Sequence, residues 1–152
     1  MLSKAPEFTL PEAPGKTISS DFASQAGPTV ILFFPLAFSG VCTNACAAFR
    51  DQWSDWQGLG ARVIGISIDS PFAVAKWREL ERMPFPVLSD FNKETCQAYG
   101  AFHDDLMGLK GVAKRAAFVV RKDGSVAYQW VSDNPGVQVD FDAIKAAVAN
   151  CR

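Results

Sequence analysis

Among the side chains able to do covalent chemistry, the four cysteines, Cys42, Cys46, Cys96 and Cys151, come first. Cys42 ends the stretch Pro35-Leu36-Ala37-Phe38-Ser39-Gly40-Val41 and opens the series Cys42, Ala45, Cys46, Phe49, Trp53 and Trp56, which has the spacing of one helical face. A thiol in the first turn of a helix meets unpaired backbone N–H groups and the positive end of the macrodipole, both of which favour an anion. The thiolate is the nucleophilic form of cysteine, so this position predicts a reactive sulfur. The same residue in mid-helix would be a small buried hydrophobe. Cys46 lies on the same face and reads either as core filler or as a second redox thiol. Cys96, in a short helical stretch, reads as core, and Cys151 as a free thiol at a mobile end.

The elements that position Cys42 are legible on both sides. Thr29-Val30-Ile31-Leu32-Phe33-Phe34, closed by Pro35, is a short β-branched and aromatic run that predicts a strand buried on both faces. A helix is predicted over about 42–57, with Gly58 and Gly60 as stop signals, followed by a second buried strand over 61–69. Strand, helix and strand make a βαβ unit with parallel strands and a right-handed crossover. Before it, Phe8-Thr9-Leu10 and Thr17-Ile18 around Pro14-Gly15-Lys16 predict a small hairpin leading to a helical turn near Phe22. After it, Ser70-Pro71 caps a helix running to Arg82, Phe85 to Leu88 is extended, and Asn92 to Tyr99 is a short helix. Residues 101–114 read as loop. Lys122-Asp123-Gly124-Ser125 between two apolar alternating runs is a hairpin signal, and Asp140 to Asn150 predicts a closing helix. The fold class is therefore α/β, with a central mixed sheet flanked by helices in a single domain over 1–152.

Pro35-x-x-x-Ser39-x-x-Cys42 resembles the Pro-x-x-x-Thr/Ser-x-x-Cys signature of the peroxiredoxins, and the longer string is similar to their alkyl hydroperoxide reductase E and bacterioferritin comigratory protein branches. The resemblance implies a thioredoxin-like fold with 70–114 as an insertion, and a thiol peroxidase that reduces hydrogen peroxide or alkyl hydroperoxides. Cys42 would attack one peroxide oxygen and become a sulfenic acid. Ser39 and the N–H groups of Val41 and Cys42 are candidates to align the O–O bond, and Pro35 brings an apolar wall without a donor. Ser39 also reads as a loop residue bonding its own backbone. Gly111-Val112-Ala113-Lys114-Arg115-Ala116-Ala117-Phe118 is similar to the segment that carries the family's arginine, so the resemblance implies that Arg115 holds thiolate and peroxide together; without it Arg115 reads as a strand-edge charge. Lys114 reads as solvated. Relatives often place a resolving cysteine five residues after the reactive one, whereas Cys46 is four residues on. The implied partners are a peroxide and a thioredoxin-like or low-molecular-weight thiol reductant, acting on a monomer or an A-type homodimer.

Two other classes compete on the same residues. Cys42-x-x-x-Cys46 is similar to the metal-binding pair of Sco-type copper chaperones, in which soft thiolates hold copper(I). A general disulfide reductase ordinarily uses Cys-x-x-Cys, one residue shorter. His103 reads as a surface residue without a role, and Leu36 and Phe38 as core or as the mouth of the site. With 49% hydrophobic and 20% charged residues and a formal net charge of −1, disorder and nucleic-acid binding through a broad basic face are not expected. No apolar run approaches the roughly 18 residues of a membrane span, and Met1 to Pro6 has no leader-like apolar region. The expectation is a cytoplasmic protein without cofactor or metal.

Overall fold

The computed structural model of the protein describes residues 1–151. A five-stranded mixed sheet runs Val87–Ser89 (β5), Arg62–Ser67 (β4), Thr29–Phe33 (β3), Arg115–Val120 (β8) and Val126–Ser132 (β9) from edge to edge. Its centre is β3 (Thr29–Phe33), parallel to β4 (Arg62–Ser67) and antiparallel to β8 (Arg115–Val120). All five residues of β3 are buried, as expected of a strand covered on both faces. Successive side chains alternate between two cores. Val30 and Leu32 pack with Phe49, Trp56 and Trp77, from the helices α1 (Gly40–Asp51), α2 (Trp53–Gly58) and α3 (Pro71–Glu81), and with Ile144 of α5 (Phe141–Ala149). Ile31 and Phe33 pack on the opposite face with Phe8, Phe22, Cys96 and Tyr99, under α4 (Glu94–Ala98). Gly65 in β4 has a packing reason, since a Cβ there would lie 3.0 Å from the Phe34 ring.

The N-terminal hairpin β1 (Thr9–Ala13) and β2 (Lys16–Ser19), the Ser70 cap on Ala73 N with Pro71 in the first turn, and the β8–β9 (Val126–Ser132) hairpin agree with the expectations from sequence. Gly124 turns that hairpin at φ +85° while Asp123 accepts from the amide of Ser125. β5 (Val87–Ser89) is an edge strand, which explains why Pro86 is tolerated immediately before it.

Three expectations need correction. The predicted helix over 42–57 begins at Gly40 and is broken at Gln52, whose φ of −104° and ψ of 14° separate α1 from α2. Residues 101–114 are not all loop: β6 (Phe102–His103) pairs with β7 (Val112–Ala113). Cys151 is not at a loose end, because it is half-buried against the core and its thiol donates to Ala147 O at 3.1 Å. Among the described residues no helix is long and apolar enough to cross a membrane.

Candidate active site

The site lies at the end of β3, where Phe34 leads into the five-residue loop Pro35–Ser39 and then α1. Ser39 is extended, at φ −75° and ψ 153°, and its carbonyl accepts from Thr43 N at 2.9 Å, so Cys42 is the third residue of the helix. The N–H groups of a first turn have no partners within the helix, and those of Gly40 to Cys42 belong to that set. Phe38 adopts φ +67°, a left-handed conformation that bulky residues rarely take.

Arg115 comes from the first position of β8 and is only 2% exposed. Its Nη2 donates to the Sγ of Cys42 at 3.1 Å and its Nε donates to the carbonyl of Pro135 at 3.2 Å. Among the described residues no carboxylate forms an ion pair with it. A buried guanidinium without a carboxylate is costly, and the group it does touch is a thiol able to become an anion. The two residues are 73 positions apart in sequence, and the strand-edge reading of Arg115 does not hold. Beside them a depression of about 220 Å³ is lined by Pro35, Leu36, Ser39 and Val41 from the Cys42 segment, by Leu106, and by Arg115 and Pro135. Its wall is mostly hydrocarbon. Cys42 is fully buried and does not itself contribute to that wall.

Ser39 lies at the depression, but its hydroxyl donates to Leu36 O at 2.9 Å, which closes the loop on itself. It can offer a substrate lone pairs rather than its proton. Cys46 is fully buried one turn beyond Cys42, and its thiol donates to the Sδ of Met83 at 3.4 Å. Burial first, then the neighbouring Cys42 and Glu81, push its pKa up to about 12. All four cysteines are free thiols.

Other residues fall outside the site. Cys96 is in the opposite core, as expected, with its pKa also raised to about 12 by burial and the adjacent Asp90. Phe38 is half exposed and packs towards Trp77, 6.4 Å between ring centres, so it does not line the depression, whereas Leu36 does. Lys114 pairs with Asp133 instead of being simply solvated. His103 is half-buried in β6 with a partnerless Nε2, and burial and then Lys114 lower its pKa against the opposing pull of Asp133. Two supports carried no sequence signal: the Pro135 carbonyl that aims Arg115, and Gln138, whose amide donates to Val41 O at 3.2 Å and ties the first turn of α1 to the chain after β9.

A profile of the AhpC/TSA family matches residues 1–129. A putative peroxiredoxin of Mycobacterium tuberculosis is 40% identical over 126 residues, covering 81% of this chain and 79% of its own. The putative peroxiredoxin bcp of Coxiella burnetii is 36% identical over 141 residues, covering 90% and 89%. The crystal structure of peroxidoxin BcpB from Mycobacterium tuberculosis superposes with a TM-score of 0.84 at 28% identity, over 98% of this chain and 96% of that one. None of these relatives supports the copper-carrier reading, and a buried cation in contact with one of the two sulfurs opposes binding a second cation there. With its strand-loop-helix junction, its buried Cys42–Arg115 contact and these relatives, the chain belongs to the AhpC/TSA family of peroxiredoxins, thiol-dependent peroxidases on a thioredoxin-like fold.

Proposed function

We propose that Cys42 is the peroxidatic residue and that the protein reduces hydrogen peroxide or small organic hydroperoxides with electrons from a thioredoxin-like or low-molecular-weight thiol. The observation that carries this reading is the buried Arg115 guanidinium donating to the Cys42 sulfur at 3.1 Å. A cation so placed favours the thiolate over the thiol. It also presents further N–H donors to the oxygens of a peroxide entering beside it.

In this mechanism the thiolate attacks one peroxide oxygen along the O–O axis. The S–O bond forms as the O–O bond breaks, and the leaving oxygen takes up a proton to become water or an alcohol. Cys42, oxidised by two electrons, becomes a sulfenic acid. Negative charge develops on the leaving oxygen, and Arg115 with the free N–H groups of the first turn is oriented to stabilise it before the reaction begins. Pro35 and Leu36 restrict water. Ser39 shapes the loop and offers an acceptor to a peroxide O–H.

Resolution by Cys46 completes the cycle: its thiol sulfur displaces the sulfenic oxygen as water and forms a Cys42–Cys46 disulfide, which an external dithiol reduces. Cys46 must first leave Met83, and the first turn of α1 must unwind. A reducing compartment such as the cytoplasm supplies that dithiol. Mass spectrometry after one equivalent of peroxide tests the proposal. A gain of one oxygen on the Cys42 peptide, or a disulfide joining it to Cys46, agrees; oxidation confined to other cysteines removes the assignment.

A further inference from the structure

Resting on the assignment of Cys42 as the attacking thiol, we infer that Asp69 is a positioning residue of the peroxide site, acting through the backbone of the Pro35–Ser39 loop. Asp69 follows the end of β4, beside the loop that follows β3. Its Oδ2 accepts from the amide of Ala37 at 2.8 Å and also from the hydroxyl of Ser67. The carboxylate is itself anchored. Ser67 Oγ accepts from Asp69 N at 3.1 Å, and Ser89 Oγ donates to Asp69 O at 2.5 Å. Ser67 and Ser89 are paired residues of β4 and β5 and are 0% and 1% exposed, so Asp69 stands on the rigid C-terminal edge of the parallel strands.

The loop needs such an anchor. It contains Phe38 in the left-handed region, which is stable only when the surroundings hold it there. Its other side-chain hydrogen bond, from Ser39 to Leu36 O, is internal and fixes the loop's shape without fixing its place. Ala37 lies between the depression's Pro35 and Leu36 on one side and its Ser39, Gly40 and Val41 on the other. Releasing its amide lets Phe38 relax and moves the wall against which a peroxide is aligned. Cys42 and Arg115 keep their mutual contact, because neither touches Asp69.

Both hydrogen bonds converge on one oxygen, so an amide oxygen can replace the carboxylate. Asp69→Asn should therefore retain function where Asp69→Ala does not. The experiment compares the second-order rate of hydrogen peroxide with reduced wild type, Asp69→Ala, Asp69→Asn and Ser67→Ala, alongside the rate of Cys42 alkylation by iodoacetamide at the same pH. In Asp69→Ala the peroxide rate should fall about 10-fold to 100-fold, the scale for a misaligned reacting pair. Alkylation should not slow, since opening the loop exposes a sulfur that is fully buried in the wild type. Asp69→Asn should stay within about threefold of wild type, and Ser67→Ala, which loosens the carboxylate only, should fall between the two.

Peroxide rates in Asp69→Ala equal to wild type overturn the inference. So does an Asp69→Asn rate as low as that of Asp69→Ala, which would make charge, not placement, the cause. If Asp69→Ala does not fold, an unaltered rate in Ser67→Ala overturns it. Failure of wild type itself to consume peroxide through Cys42 would instead reject the functional assignment.

Discussion

Cys42 and Cys46 differ in what touches their sulfurs and in little else. They share one face of α1, one turn apart, and both are fully buried in the same core. Cys42 meets the guanidinium of Arg115, while Cys46 meets the thioether of Met83 with the carboxylate of Glu81 nearby. Burial alone disfavours a thiolate at either position. At Cys46 burial, with Cys42 and Glu81 nearby, outweighs the opposing pull of Arg50 and Arg115, and the thiol pKa is pushed up to about 12. At Cys42 the guanidinium of Arg115 donates to the sulfur, which sits in the first turn of α1, at the positive end of the helix dipole. The difference shows that position on one helical face does not by itself distinguish two buried sulfurs, and that the distinguishing contact arrives from a strand 73 residues away.

Replacing the favoured sulfur tests the contrast most severely. Cys42→Ser should abolish peroxide consumption with the fold intact, because a hydroxyl at this site is a far weaker nucleophile, whereas Cys46→Ala should keep the first turnover. Steady-state and single-turnover peroxide assays read both, and near-normal turnover in Cys42→Ser would end the assignment. The next largest effect should come from making the two surroundings alike. Arg115→Met removes the cation, and the peroxide rate should fall about 100-fold, the scale for losing one preorganised charge-stabilising group. Arg115→Lys should recover only part of the rate, because an ammonium cannot hold Pro135 O and the sulfur with one planar fork.

The side of this contrast that depends on local order was legible in the sequence. The β3 run, the turn at Lys122 to Ser125, the Ser70-Pro71 cap and the arrival of a helix at Cys42 all follow from alternation, turn chemistry and capping, which act over a few residues. The break at Gln52 was not legible, because Trp53 and Trp56 keep the phase of Cys42 and Phe49 through it, and apolar spacing records phase rather than hydrogen bonds. Two-residue strands such as β6 and β7 are too short to show a period. The Arg115 contact came from the family resemblance alone, since nothing local marks which of the chain's cations will meet a given sulfur. The Pro135 carbonyl and the Met83 sulfur were invisible for a related reason: a backbone acceptor has no side-chain identity, and a methionine after a helix reads only as apolar.

A smaller consequence of the same comparison concerns stability. Cys46 and Cys96 have folded-state pKa values raised to about 12, above the roughly 8.5 of an exposed cysteine. Between those values the folded chain holds protons that the unfolded chain has released, so stability falls as pH rises. The contribution is complete below about pH 8.5 and is lost progressively towards pH 12. Urea midpoints measured from pH 8 to 10.5 should decline, and the decline should be shallower in Cys46→Ala and in Cys96→Ala, each compared with its own midpoint at pH 8. An equal slope in all three proteins would show that these thiols are not the groups that titrate.

The smallest expected effect probes whether Cys46 is held in reserve or is only packing. Four residues of α-helix rise about 6 Å, within the roughly 4.4–6.8 Å between Cα atoms that disulfides span, so distance does not forbid a Cys42–Cys46 bond. Orientation on an intact turn does, because the sulfur dihedral must approach about 90°. The first turn has to open, breaking the Thr43 N to Ser39 O bond, and Thr43 and Asn44 are modest helix formers that ease this. Cys46 must also give up Met83. Met83→Leu keeps the volume, at a cost expected below about 1.5 kcal/mol, and removes the sulfur acceptor. Disulfide formation after a single equivalent of peroxide should then quicken by about twofold to threefold, the scale of one weak hydrogen bond. Rapid quenching followed by peptide mass analysis measures it. If the rate is unchanged while the disulfide still forms, the Met83 contact does not restrain Cys46. If Cys42 remains a sulfenic acid in both proteins and Cys46→Ala cycles normally with an external thiol, Cys46 is core filler and the enzyme works with one cysteine.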